Sequence, residues 1–111
     1  MAKPMYTTND LPHLNLAAGC PPVEGGTVSK TLLDEGPVKL ILFAMDAGQE
    51  LSEHAAPFAA TVQVLEGRLT FGVGGQHREM TRHDWVAMPP NAPHDVSAVE
   101  PTTFLLTLWR G

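Results

Sequence analysis

Ten glycines and ten prolines interrupt this chain of 111 residues, and that density of breakers decides what it can fold into. Proline inside a helix removes a donor and collides with the preceding turn, while glycine costs a helix about 1 kcal/mol relative to alanine. No long window carries apolar residues at i, i+3, i+4 and i+7. Between the breakers lie short runs rich in β-branched and aromatic residues. "TVSKTLL" (27–33), closed by "DEGP", reads as a first strand. "VKLILFAM" (38–45) is apolar on both faces apart from Lys39, as a strand buried on both sides must be. "DAGQELSEH" turns back toward another short strand. "TVQVLEG" (61–67) sends Val62 and Val64 one way and Gln63 and Leu65 the other, and "RLTFGV" (68–73) alternates Leu69, Phe71 and Val73. Glu66-Gly67 suits a hairpin turn between them. "QHREMT" (76–81), "WVAMPP" (85–90), "NAPHDVSAV" (91–99) and "TTFLLTLWR" (102–110) complete the series. Strands this short, at this spacing, predict an all-β sandwich or small barrel, and hence one enclosed cavity. Residues 1–26, with Pro4, Pro12, Pro21 and Pro22 ahead of Gly25-Gly26, predict an irregular N-terminal arm. Residues 27–111 then form one barrel domain.

Charge narrows the partners. The formal net charge is −5, and the seven Lys and Arg residues are scattered without a basic run, so nucleic acid is not an expected partner. No segment approaches the roughly 18 apolar residues of a membrane span, and the N-terminus has no apolar signal region; the cytoplasm is the default expectation. Cys20 is the only cysteine and reads as an ordinary loop thiol. "GVGG" (72–75) joins two strands and is a turn rather than a phosphate loop.

Two segments carry the chemistry: "GQELSEHAAPFAATVQVLEG" (48–67) and "DWVAMPPNAPHDV" (84–96). Together they resemble the two signature motifs of the cupin family, small RmlC-like barrels of the double-stranded β-helix or jelly-roll type. The resemblance covers residues 36–109 and implies that architecture here. In the family, the first motif places two histidines and a carboxylate, and the second a further histidine, around a metal. In this chain His54 and His94 stand at two of those four positions, while Ala56 and Ala60 stand at the others. Pro89 fits the second motif, and Asn91 replaces its usual glycine.

The resemblance therefore implies a cavity holding two imidazoles and two methyl groups where an ion cage would be. A first-row metal in such a barrel is normally held by three or four N/O ligands. Two imidazoles leave it mostly solvated, so the residues imply at most a weakly held divalent ion (Zn, Fe, Mn or Ni) on His54 and His94. Glu53, Thr61, Gln63, His77 and His83 are the candidates for a replacement ligand. Strand alternation turns Gln63 away unless a bulge intervenes. Alternation also sends Asp95 to the face opposite His94, and Glu53 opposite His54, so spacing shows no His/Asp dyad in the cavity. The expected pocket comprises His54, His94, Ala56, Ala60, Val62, Phe43, Met45, Phe58 and Met88, mostly apolar with a few placed polar groups, as small-molecule sites are. Three functions stay open. The chain binds a small organic molecule; or it is a metal-dependent dioxygenase- or isomerase-type enzyme using His54, His94 and non-standard ligands; or it performs metal-free acid–base chemistry such as epimerisation. Exposed edge strands, and the habit of the family, lead us to expect a homodimer.

Overall fold

The computed structural model describes residues 3–111; Met1 and Ala2 of the expected arm lie outside them. Nine strands follow the arm: β1 (Thr27–Glu35), β2 (Val38–Met45), β3 (Glu50–His54), β4 (Ala59–Glu66), β5 (Arg68–Val73), β6 (Gln76–Thr81), β7 (Trp85–Met88), β8 (His94–Ala98) and β9 (Thr102–Trp109). They form a five-stranded sheet, β1-β2-β9-β4-β7, facing a four-stranded sheet, β3-β8-β5-β6. The all-β barrel expected from the sequence is what the chain adopts. Prolines shorten two expected runs: β7 stops at Met88 before Pro89-Pro90, and β8 begins at His94 after Pro93. No helix among the described residues is long and apolar enough to cross a membrane.

The β4–β5 turn shows why one glycine is needed. Gly67 sits at φ 93°, and a Cβ there would run into the backbone of Pro101 and lie 2.7 Å from Cα of Thr102. The same threonine fastens the turn, its Oγ1 accepting from the Arg68 N–H at 3.0 Å.

Two apolar layers flank the five-stranded sheet. The inner one lies between the sheets and is built from alternate residues of each strand, among them Val62, Val64, Leu69, Phe71, Val96 and Phe104. Phe43 and Phe104, paired across β2 and β9, stack there with ring centroids 5.0 Å apart. The outer layer contains Cys20, Leu32, Leu42 and Ala44, with Tyr6, Leu14 and Leu16 of the arm packed over it. β2 thus buries both faces, which accounts for its unbroken apolar run. The arm is anchored along β1: Met5 N–H donates to Thr31 O at 2.8 Å, Tyr6 N–H to Leu32 O at 3.0 Å, and Thr8 N–H to a Glu35 carboxylate at 2.7 Å. A register shift between Thr31 and Leu33 leaves Leu32 as the extra residue, and it joins the outer layer. Cys20 is fully buried, and loss of water pushes its thiol pKa up, with the Lys30 ammonium opposing in part.

Candidate functional site

Strict alternation along β3 would put Leu51 and His54 on opposite faces. Their partners on β8 are Val96 and His94, so three steps on β3 are matched by two on β8. The inserted residue is a bulge, and it resets parity. Leu51 consequently packs on the inner core and His54 still borders the cavity, although it is exposed, as Ser52 and Glu53 are.

His54 and His94 are directly paired in register, with ring centroids 4.2 Å apart and planes inclined by 60°. Each ring is oriented by its own strand. His54 Nδ1 lies 2.7 Å from Ser52 O, and His94 Nδ1 lies 3.0 Å from Ala92 O. A carbonyl oxygen only accepts, so Nδ1 carries a proton in each ring, and the neutral tautomer this selects keeps the lone pair on Nε2. The pair therefore presents two nitrogens able to accept a hydrogen bond or to ligate.

The rings border a cavity of about 180 Å³. Opposite them stand Ala60, Met88, Leu106 and Leu108 of the five-stranded sheet; Ala56, Phe58, Pro89 and Ala92 of the two motif loops close the sides. Those loops are tied together where Asn91 N–H donates to Ala56 O at 2.7 Å. Asn91 adopts φ 66°, a left-handed conformation that asparagine tolerates better than most residues, which explains how it stands in the place of a glycine. Phe58 also lines a shallow outer depression with Trp109 and Pro90, so its ring stands between cavity and exterior.

Of the residues expected in the pocket, His54, His94, Ala56, Ala60, Phe58 and Met88 line this cavity together. Phe43 and Val62 lie deeper, around a void of about 40 Å³ that touches the same two histidines. Met45 is a correction. It faces inward as alternation requires, but it pairs with Thr102 at the far end of β9 and is fully buried in the inner core, away from the cavity. Pro89, Ala92, Leu106 and Leu108 were missed. The run "TTFLLTLWR" is apolar on both faces, so it did not show that Leu106 and Leu108 share the inward face with Phe104.

None of Glu53, Thr61, Gln63, His77 and His83 lines the cavity. Among the described residues no three His, Cys, Asp or Glu side chains are grouped to hold one ion. A His/carboxylate pair does exist, on the outer face of the four-stranded sheet: His77 Nε2 lies 3.3 Å from Asp95 Oδ1, bridging above Gly72.

A model of the Cupin domain family matches residues 41–109. No curated protein sequence is detectably similar to the chain. Among solved structures, a conserved protein of unknown function from Streptococcus pyogenes is 25% identical, with a TM-score of 0.83, over 90% of this chain and 88% of that one. An RmlC-like cupin from Desulfovibrio desulfuricans is 25% identical, with a TM-score of 0.79, over 89% and 96%. A Cupin 2 conserved barrel domain protein from Leptotrichia buccalis is 31% identical, with a TM-score of 0.82; the match takes in 86% of this chain but 47% of that one.

Proposed function

Given that the chain belongs to the cupin family, we propose that it binds a small organic molecule in the barrel cavity, at a site where the family's ion cage is degenerate. The observation that carries this reading is the lining: two imidazole nitrogens on one wall, and methyl, thioether and hydrocarbon groups elsewhere. Ala56 and Ala60 occupy the positions from which further ligands would come, and both line the cavity. A resident metal fits this donor set poorly, because two nitrogens supply only half of a closed four-ligand shell. A guest of roughly the cavity's volume would bury its apolar body against Leu106, Leu108 and Met88. It would donate hydrogen bonds to His54 and His94, and such bonds fix orientation more than they add affinity.

One observation favours a second reading, the metalloenzyme. Both Nδ1 atoms are engaged by backbone carbonyls, which is how ligating histidines are commonly held with Nε2 free. Dialysis against Zn, Fe, Mn and Ni salts in turn, followed by measurement of bound metal, separates the two. We expect well under one equivalent on the natural chain, and near-stoichiometric metal on an Ala56→His, Ala60→Glu variant. Stoichiometric metal on the natural chain, lost in a His54→Ala, His94→Ala variant, would overturn the binder in favour of the enzyme.

A further inference from the structure

A second concavity lies on the side of the barrel where β6 and β7, the edge strands of the two sheets, face each other across an open seam. It has a volume of about 380 Å³. Phe71 and Met80, themselves 2% and 5% exposed, form its floor, with Val73 and Val86 beside them; Gln76, Arg78 and Trp85 stand around it. Phe71 separates it from the histidine cavity: the Phe71 and His94 rings are nearly parallel, 6.1 Å apart, and Phe71 also lines the void on that side.

The cation in this seam lacks an ionic partner. Arg68 pairs with Glu79 and Glu100, Arg82 with Glu66, and Arg110 with Asp34, whereas Arg78 has no carboxylate within 4.0 Å among the described residues. Its register opposite Phe71 places it on the inward face of β6, with Gln76 and Met80. Gln76 Oε1 accepts from Arg78 Nη2 at 3.2 Å, which orients the guanidinium and leaves the Gln76 NH₂ free to donate. The two acidic residues at the seam are occupied elsewhere. Asp84 Oδ2 accepts from Thr81 N–H at 2.8 Å, and Glu79 faces Arg68. An inward charge on an edge strand also guards against strand addition, but that role does not require the hollow of apolar side chains beside it.

We infer that this seam is a second binding site, for a small carboxylate with an apolar body. The carboxylate sits on the Arg78 guanidinium and the Gln76 amide, and the body rests on Phe71, Met80 and Val86 under the edge of Trp85. The bidentate fork of arginine suits a carboxylate, and the hydrophobic surface selects a ring or short chain over a bare anion.

The test is an NMR titration of the full chain with 3-phenylpropionate, read at the Arg78 Nε–H and the Trp85 indole N–H. Saturable shifts at both are expected. The neutral alcohol of the same skeleton should bind about tenfold more weakly, as should the acid to an Arg78→Gln variant, with Arg78→Lys intermediate. The acid-against-alcohol comparison needs no variant to fold. No saturation at any soluble concentration, equal binding of acid and alcohol, or shifts confined to His54 and His94 would each overturn the assignment.

Discussion

Gly67 illustrates how a single residue can hold an architecture. Its φ of 93° lies where an L side chain is strained, and the space a Cβ needs is taken by the backbone of Pro101 and Thr102. Backbone cannot swing aside as a flexible side chain can. Gly67→Ala is therefore expected to destabilise the fold by about 3 kcal/mol or more, read as a shift of the urea midpoint. Gly25→Ala serves as the comparison: it also has positive φ, 69°, but nothing lies within 4 Å of its Cβ position, so it should lose less. Equal losses at the two sites would show that conformation alone, without the close approach, sets the cost. Met45 teaches a different lesson at this scale. Alternation along "VKLILFAM" told which face it occupies, together with Phe43, but not how far along the barrel axis each sits. Depth is decided by which end of β9 lies opposite, and that is a long-range pairing.

Among the elements, β3 was the least legible. "ELSEH" has one apolar residue, and a strict period of two would have separated Leu51 from His54. The bulge that brings both inward is set by pairing with β8, which lies far along the chain, and local sequence carries no sign of it. β5, whose alternation is clean and whose turn is glycine-marked, is legible to the residue, whereas β4 begins two residues before the alternating run, at Ala59, and ends at Glu66. The His77–Asp95 pair was hidden for the same reason as the bulge: its members come from β6 and β8 and meet only because Gly72 of β5 lies between them. Deleting Glu53 should leave Leu51 and His54 two steps apart, so that regular pairing with Val96 and His94 keeps both inward without a bulge. The measurement is the ring-proton NOE between His54 and His94, expected in the natural chain and retained in the deletion. If it is lost with β3 still paired to β8, the extra residue does more than reset parity.

At the scale of the whole molecule, the arm changes which edges are open. Met5 and Tyr6 hydrogen-bond to β1, so an edge-to-edge homodimer through that strand would have to displace them. β3, β6 and β7 end their sheets and pair with a strand on one side only. We expect a dimer at micromolar concentration, joined at the β3 edge, since strand addition at β6 or β7 would close the seam, and leaving Met5 and Tyr6 in place. Sedimentation velocity reads the mass, and hydrogen exchange at the Met5 and Tyr6 amides reads the arm. A monomer, or a dimer in which those two amides exchange freely, would contradict this.

The double coat on one sheet has a further consequence. Leu106 projects from a wall backed at Leu40 and Leu105 by a second oily stratum, whereas His54 and His94 project from a wall whose reverse side carries the half-wet His77–Asp95 bridge. Local opening is cheapest where few apolar contacts resist it. A guest would accordingly meet a stiff hydrocarbon jaw and a yielding imidazole one. Selectivity for shape would then reside in the rigid side, and adjustment of hydrogen bonds in the side that breathes.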